Sequence, residues 1–452
     1  MIGQTDLLDI QGGVLNGYKK FPYVAHLFGS IDPASVEEWR AFLGGLAPTP
    51  ADWGPGEPPP STLNVALSAR GLGLLQPSLS AELAGSFEAF AQGMPARASI
   101  LGDASPFPAW EQRHIWLSVH AQRPETLETE LARLMAQAAP LTLSDDARGA
   151  ALMKADGVRY EHFGFRDDIS YPVLQGSPKT EAHEVEGRGK LVGERWEPIR
   201  DGEFIIGHEN ERGVDVLADL SAPLKQLLKN GTFAVFRILS QDVVAFRRYA
   251  RKKSRANAPA DMLTSRMVGR MPNGQPLVPC TASSGEQALE LSSFDYSKDP
   301  TGAGCPLGAH VRRANPRSKQ NGGRHHLIRR GVSYGEELAP DREDTRKRGV
   351  YFVAFNADLE DQYEFVQKQW LNGPVGNGSH ARDPLVGVGP ERGLVIEGDP
   401  GAGRLPILLL DIPDFVRFLG GQYYFYPALA GLRSLCAGAL PARTRSLHEV
   451  SR

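Results

Sequence analysis

The first 150 residues alternate between strand-like and helix-like patterns. The stretches PYVAHLFGSI at 22–31 and HIWLSVHAQ at 114–122 carry apolar residues at every second position, which predicts half-buried strands. The stretches PASVEEWRAFLGGL at 33–46 and PETLETELARLMAQAA at 124–139 carry them at helical spacing, which predicts amphipathic helices. The pattern therefore predicts strand and helix units in this part of the chain.

The second half repeats this rhythm. Its predicted elements are a strand at 233–241, a helix with a basic end at 242–253, a buried strand at 350–357, a helix at 358–371 and a strand at 405–410. Strand and helix units in both halves favour an α+β fold made of two units of similar design. The polar run QGSPKTEAHEVEGRGK places the boundary near 175–200, with domains at 1–190 and 191–452.

Composition narrows the possible functions. The 452 residues include 50 Lys and Arg against 53 Asp and Glu, a net charge of −3, which makes bulk nucleic-acid binding improbable. The N-terminus has no signal-peptide pattern, and no long apolar run is present, so we expect a cytoplasmic protein with no membrane partner. The 3 cysteines lack CxxC and CxxCH spacing, which disfavours a zinc ribbon and a covalently attached haem.

The segment 302–335 is rich in basic residues and contains three of the eleven histidines. One interpretation is a surface patch for an acidic partner. The other is a ligand site, because Gly and Pro around a single His fix the backbone path that a metal-ligating imidazole requires. The segment 163–170, FGFRDDIS, likewise permits a solvated turn or a functional acid pair.

The run GVSYG at 331–335 fits the G-x-S-x-G nucleophile elbow of serine hydrolases. That elbow requires a buried strand before the serine and a helix after it. The neighbouring HHLIRR and GEELAPDRED fit neither, so a hydrolase is disfavoured.

Several segments spread over nearly the whole chain resemble the dye-decolorizing peroxidases, in their larger subclass. They are DIQGGVLNGY (9–18), QGMPARASILGD (92–103), GFRDDIS (164–170), GEFIIGHENE (202–211), NGTFAVFRILSQDVVAF (230–246), MVGRMPNGQPL (267–277), FDYSKDPTGAGCPLGAHVRRANPR (294–317) and GGQYYFYP (420–427). The resemblance implies a duplicated fold of two ferredoxin-like domains with antiparallel sheets, similar to a dimeric α/β barrel. It assigns a distal Asp to 1–190 and haem binding to 191–452.

The resemblance also implies which residues hold the haem iron. The family's proximal ligand falls on His310, within GAHVRR. The acid that supports this imidazole is carried over to Glu364, with Asp358 as the fallback. A carboxylate that accepts the second imidazole N–H makes the ligand a stronger electron donor.

On the opposite side of the haem, the family uses an Asp from a GxxDG motif and an Arg. These positions fall on Asp167 as proton shuttle and on Arg329 as the charge-stabilising cation, with Arg330 as the alternative if the register slips. The chain departs from the motif at its last position, where Asp168 replaces Gly. Glycine would let the backbone approach the porphyrin, and a second carboxylate there alters the titration of the pocket.

Further positions follow from the same resemblance. Cations are needed for the haem propionates, and Arg313 is the first choice, beside Arg312 and Arg317. Phe352 and Val350 are expected to form walls of the distal pocket. Candidates for electron transfer from surface-bound substrates are the aromatic residues Tyr334 and Trp370.

The predicted function is that of a haem b peroxidase, with one non-covalent haem per chain. Hydrogen peroxide would oxidise the haem, and the haem would then oxidise organic reductants such as dyes and phenolics. A haem oxygenase or sulfoxidase-like activity in the same pocket is the alternative enzyme. A haem-binding or carrier protein with low turnover is the alternative of another class, because of Asp168. An oligomer is possible.

Overall fold

The computed structural model describes residues 1–54, 56–103, 107–177, 185–280, 291–317, 323–374, 381–389, 392–399, 401 and 403–438. Within these ranges the strands are β1 (Tyr23–Gly29), β2 (Ser61–Leu67), β3 (Ile115–Ala121), β4 (Leu143–Ala150), β5 (Leu152–Met153), β6 (Arg159–Tyr160), β7 (Lys190–Val192), β8 (Arg195–Glu197), β9 (Thr232–Gln241), β10 (Ile328–Arg329), β11 (Val332–Tyr334), β12 (Gly349–Asn356), β13 (Gly393–Ile396), β14 (Ile407–Leu410) and β15 (Val416–Tyr426).

The α-helices of the described ranges are mostly short. They span Gln4–Leu7, Gly12–Leu15, Val36–Gly44, Ala69–Leu75, Ser80–Ser86, Glu88–Gln92, Ala98–Leu101, Pro124–Ala138, Ala222–Leu228, Val243–Lys253, Ala260–Val268, His310–Ala314 and Leu429–Cys436. The helix predicted at 358–371 is π-helical instead, over Leu359–Glu364 and Val366–Leu371. No helix within these ranges is both long and apolar enough to cross a bilayer.

One large antiparallel sheet organises the chain, in the order β10-β12-β9-β15-β2-β3-β1-β4, with β11 paired to β12. The N-terminal half runs β1, helix Val36–Gly44, β2, β3, helix Pro124–Ala138, β4. In the C-terminal half, β9, helix Val243–Lys253, β10, β12, the π-helical segment and β15 follow in the same order. Each half therefore has the ferredoxin-like strand order 4-1-3-2, which confirms the predicted duplicated α+β fold.

The two half-sheets close on each other in a barrel-like arrangement. They join where Phe425 of β15 pairs with Leu67 of β2. At the other end a Cβ on Gly149 of β4 would lie 2.7 Å from the Ser333 carbonyl oxygen of β11, so glycine permits this close approach. The strands thus form a curved wall with an inside and an outside.

Alternation along the strands divides the core between these two faces. Inward side chains from both halves form an aromatic cluster that includes Phe28, Trp116, Phe236, Tyr351 and Tyr424. Outward side chains pack against the helices in a second, larger cluster. The helix Pro124–Ala138 is an example of this packing. Its buried Leu127, Leu131 and Leu134 recur at helical spacing, so they form one apolar face.

Candidate active site

A pocket lies on the outer face of the C-terminal half-sheet, beside the segment 159–171. Its cavity volume is about 80 Å³, and it is lined by Ala151, Arg159, Tyr160, Asp167, Asp168, Ser170, Tyr171, Arg329, Gly331, Val332, Ser333, Val350 and Phe352. Val350 and Phe352 belong to it because they alternate along β12 with the inward Tyr351 and Val353. The structure therefore brings the predicted distal residues to one pocket.

Arg329 and Arg330 point to different surroundings. Ile328 of β10 is buried in the inner cluster, and Arg329, the next residue, is exposed towards the pocket. The Arg330 guanidinium instead donates to the carbonyl oxygens of Gly13, at 3.2 Å, and Val14, at 3.0 Å. Arg329 is consequently the arginine of the pair that faces a ligand in this pocket.

Asp167 and Asp168 are held at the pocket by a structured turn rather than a solvated one. The Glu161 carboxylate accepts from the backbone N–H groups of Phe163 and Phe165, at 2.9 Å each. Both Phe side chains pack into an apolar cluster, and this cluster also contains Val311. The exposed Asp167 thus follows a turn that is anchored in the same apolar cluster as Val311, on the helix that carries His310.

Asp168 adopts a backbone conformation that favours glycine. Its φ is +65°, in the left-handed region, where an Asp is tolerated at some cost in free energy. Its Oδ2 lies 3.6 Å from the Lys19 ammonium, while Oδ1 is buried without a hydrogen-bond partner in the described part of the chain. Burial raises the pKa of Asp168. The backbone angle explains why a glycine suits this motif position.

His310 is not among the residues that line this pocket, and it begins the short helix His310–Ala314. Its Nδ1 lies 2.9 Å from Oδ2 of Asp383, a carboxylate with no solvent exposure. Burial acts to raise the pKa of Asp383, but His310 and the backbone N–H groups of Leu385 and Val386 together hold this pKa below its ordinary value. The imidazole is 29% exposed, and among the described residues its Nε2 has no hydrogen-bond partner.

The prediction that Glu364 supports this imidazole is therefore wrong. Glu364 accepts from the Arg97 guanidinium at 2.6 Å and from the Tyr423 hydroxyl at 2.9 Å, in a buried network. The fallback Asp358 caps the π-helical segment by accepting from the Asp361 N–H. A signal for Asp383 existed, since an Asp followed by Pro, Leu and Val in ARDPLV is typical of a carboxylate that accepts backbone N–H groups.

Arg313 was predicted to bind a propionate, and this too is wrong. Its guanidinium donates to the backbone carbonyl oxygens of Trp370, Leu371, Gly373 and Ala381. The other two arginines are similarly occupied, Arg312 by Asp299 and Cys305 and Arg317 by Gly187, Ser292 and Phe294. All three arginines hold the loops around His310 together.

The two aromatic candidates for electron transfer are half-buried and pack against other rings. Tyr334 stacks on Tyr351 with ring centroids 4.7 Å apart, and its hydroxyl is buried, which raises its pKa to about 12. Trp370 lies edge-on to Phe365 and to His325, at 5.5 Å from each. Both side chains keep some solvent exposure, and electron transfer through either residue stays a prediction.

Fold and site together define the class of protein. A histidine with one nitrogen fixed by a buried carboxylate and the other free is arranged to ligate a metal. An acid and an arginine on a shared pocket are arranged to move a proton and stabilise developing charge. In a duplicated ferredoxin-like barrel, this combination is that of a haem peroxidase.

Comparisons with known proteins agree with this class. Residues 282–383 match the family model described as Dyp-type peroxidase, C-terminal. The multifunctional dye peroxidase DyP2 of Amycolatopsis sp. is 29% identical over 74% of this chain and 70% of its own length. A dye-decolorizing peroxidase of Mycetinis scorodonius is 27% identical over 95% of this chain and 87% of its own.

Solved structures extend the likeness to the fold. A structure described as that of DyP has a TM-score of 0.78 and 22% identity, and covers 95% of this chain and 98% of its own. The Auricularia auricula-judae enzyme, as a variant with one tyrosine replaced by serine, has a TM-score of 0.75 and 23% identity, and covers 96% of this chain and 99% of its own. The family model, the relatives along nearly the whole chain and the shared fold support the dye-decolorizing peroxidase family, and the chain is a peroxidase.

This family implies a haem, and the residues present fit one. His310 offers a free and partly exposed Nε2, as an axial ligand requires. The pocket adds a cation at Arg329, carboxylates at Asp167 and Asp168, and apolar walls at Val350 and Phe352. Within the described ranges, no group of three or more His, Cys, Asp and Glu side chains is arranged to hold a metal ion on its own.

Proposed function

We propose that this protein is a haem b peroxidase that holds one non-covalent haem on His310 and uses hydrogen peroxide to oxidise phenolics and dyes. When bound, the haem supplies a redox-active iron that takes up oxidising equivalents from peroxide and passes them to a reductant. The observation that carries the proposal is the 2.9 Å contact between His310 Nδ1 and the buried Asp383, which leaves Nε2 free.

Asp383 has two tasks in this proposal. By accepting the Nδ1–H it fixes the tautomer, so that Nε2 carries the lone pair for the iron. Its negative charge also increases the electron donation of the imidazole. The two backbone N–H groups that bind the other carboxylate oxygen, those of Leu385 and Val386, keep the Asp383 side chain in this orientation.

Asp167 and Arg329 divide the work on peroxide between them. The ionised Asp167 accepts a proton from one peroxide oxygen and returns it to the other. Arg329 places its guanidinium where it stabilises the negative charge that develops as the O–O bond breaks. Both side chains are exposed to the pocket, which leaves them available to a small substrate.

Phenolics and dyes are proposed as reductants because of the relatives. Similar proteins carry the name dye-decolorizing peroxidase, and a structure with TM-score 0.74 and 24% identity is described as a complex with 2,6-dimethoxyphenol. We also propose the cytoplasm as the compartment, which the reduced thiols of Cys305 and Cys436 support.

The test is a spectroscopic titration. We expect the purified chain to bind haem with a Soret band, to shift this band on addition of peroxide, and to oxidise 2,6-dimethoxyphenol. His310→Ala should abolish the peroxide-induced shift while circular dichroism stays unchanged. His114→Ala is the control, because it deletes another buried histidine, one whose Nδ1 accepts from Ile31 N–H. A His310→Ala protein with normal turnover would overturn the proposal.

The second candidate is a haem carrier with low turnover. Asp168 favours it, because a second buried carboxylate beside Asp167 replaces the motif glycine. Two proteins named deferrochelatase also match 92 residues, and the one from Escherichia coli O157:H7 is 37% identical there. Normal haem binding, with a Soret band that does not shift on addition of peroxide, would favour this candidate.

A further inference from the structure

The hairpin formed by β13 and β14 is apolar on both faces. Its inner side chains, Leu394, Ile396 and Leu409, are buried in a cluster with Phe246 and Phe415. Its outer side chains alternate with these along the two strands. Such a hairpin departs from the usual antiparallel arrangement, in which the solvent face is polar.

Three exposed leucines lie on β14 or just before it, and we call them the leucine face. Leu408 and Leu410 point outwards from β14 and are 57% and 49% exposed, and Leu405, two residues before the strand begins, is 85% exposed. Val395 of β13, which pairs with Leu408, extends the face. Single exposed leucines need no explanation, but a group on one strand indicates a surface that another apolar phase covers.

A strongly basic turn lies directly beside the leucine face. The Tyr249 hydroxyl of the helix Val243–Lys253 donates to the Leu410 carbonyl oxygen at 2.8 Å, which ties the helix to β14. The Lys253 ammonium lies 5.5 Å from the Tyr249 ring centroid, so the basic end of this helix adjoins the hairpin. Arg251 and Lys252 belong to the same last turn.

Few acids neutralise this turn. Glu343 lies 3.7 Å from Arg251, but it also pairs with Arg248 at 2.7 Å. In the described part of the chain, Lys252 and Lys253 form no ion pair. Asp411, which follows Leu410, is a second acid near Tyr249. Arg248, Arg251, Lys252 and Lys253 outnumber these two acids, so the charge beside the leucine face is positive.

We propose that the leucine face and the basic turn together bind the surface of a membrane that contains anionic phospholipid. The leucines would enter the boundary between headgroups and acyl chains, and the cations would face the headgroups. A second copy of this chain fits less well, because a symmetric contact through the leucine face would bring two basic turns into one interface.

This inference is independent of the proposed peroxidase mechanism, since neither surface touches the pocket residues. It departs from the expectation of no membrane partner. That expectation was based on the absence of a spanning segment, and a surface-bound protein needs none.

The experiment is co-sedimentation of the full chain with two kinds of vesicle, phosphatidylcholine alone and equal parts of phosphatidylcholine and phosphatidylglycerol. We expect binding to the mixed vesicles only, and release in 1 M salt, where the Debye length falls to about 3 Å. The triple variant Leu405→Ser, Leu408→Ser, Leu410→Ser should bind at least tenfold more weakly. Leu8→Ser is its control, a leucine 53% exposed near the N-terminus.

A second variant tests the charge. Lys252→Glu with Lys253→Glu should also weaken binding at least tenfold, while the exposed Lys298→Glu should not. Each variant should keep the far-ultraviolet circular dichroism of the parent, since all these side chains are exposed or at the helix end.

Three outcomes would overturn the proposal. One is no binding to either vesicle. Another is equal binding to both vesicles, which would remove the role of the basic turn. The third is a dimer in solution that the leucine variant dissociates, which would assign the leucine face to a second copy of the chain.

Discussion

The two sides of the candidate site are built in opposite ways. Around His310, charged groups are buried and their hydrogen bonds are satisfied by fixed partners, namely Asp383 and the carbonyl groups that bind Arg313. In the pocket, the side chains of Asp167 and Arg329 are exposed and accessible to a ligand. Both sides are built mainly from aspartate and arginine side chains.

This difference shows that burial and partners decide the task of a charged residue. A buried arginine that donates to several carbonyl oxygens holds the backbone in place, because each unsatisfied carbonyl would cost free energy. An exposed arginine without such partners keeps its charge for a substrate. The same contrast separates Glu364, bound to Arg97, from Asp167.

The largest expected effect on stability is at Glu364. Glu364→Ala leaves the Arg97 guanidinium buried without its main partner, which should cost about 3–5 kcal/mol in the free energy of unfolding. Glu360→Ala is the matched control, because this half-exposed acid lies 3.0 Å from the same guanidinium and should cost about 1 kcal/mol or less. Urea unfolding of both variants measures this, and equal losses would contradict the assignment.

The next effect concerns the reactive side. Arg329→Leu should slow the Soret change after mixing with peroxide by roughly two to three orders of magnitude, the scale for one charge-stabilising donor. Arg330→Leu should leave that rate unchanged and lower stability by about 1–3 kcal/mol, since the Gly13 and Val14 carbonyl groups lose their donor. Stopped-flow spectroscopy distinguishes them, and the reverse result would exchange their roles.

A smaller effect is expected on the supporting side. Asp383→Asn should weaken haem binding or turnover by about 10- to 100-fold, the range typical of partners that orient a metal ligand. Asp358→Asn is the control, because Asp358 caps the π-helical segment by accepting from the Asp361 N–H. Haem titration and steady-state oxidation of 2,6-dimethoxyphenol measure both. An unaffected Asp383→Asn variant would remove the carboxylate from the mechanism.

The smallest expected effect is at Asp168. This residue lines the pocket, as Asp167 does, but its carboxylate is largely buried, as the groups around His310 are. Burial raises its pKa, so the folded protein holds this proton more tightly than the unfolded chain does. Asp168 therefore lowers stability as the pH rises above its unfolded value of about 3.9. Asp168→Gly should stabilise the protein at neutral pH, and in acid only the gain from relieving the positive φ, about 1–2 kcal/mol, should remain.

Thermal unfolding at about pH 3.5 and pH 7 measures this difference for Asp168→Gly. The groups that face Asp168 are Lys19, Arg159, Asp167 and Arg330. In the peroxidase assay, the acid limb of the rate profile should move to lower pH, since that limb belongs to the pair of carboxylates. A constant stability difference at both pH values would show that only backbone strain is involved.

Some of this molecule follows from local patterns in the chain. The alternation in 22–31 and 114–122 predicts β1 and β3, because a strand's faces repeat every two residues wherever it lies. The run GAHVRR, by its resemblance to a family, indicates His310. The duplicated unit also follows from element order, since each half reads strand, helix, strand, strand, helix, strand.

Other features depended on segments that are distant in sequence. Asp383 lies 73 residues from His310, and no periodicity connects them. The arginines after His310 are alike in the sequence, and only the convergence of carbonyl groups from other loops decides that Arg313 is saturated. The choice between Arg329 and Arg330 depends on which face of β10 is inward.

The physical reason is the range of the forces involved. Periodicity reflects the local geometry of the backbone, which each segment carries with it, and a motif preserves the local backbone path of its residues. Hydrogen-bond partners and burial arise only when remote segments meet in the closed barrel. The sequence by itself therefore determined the elements and indicated His310 as the candidate iron ligand, while the tertiary structure decided which charged residues are structural and which are exposed to a ligand.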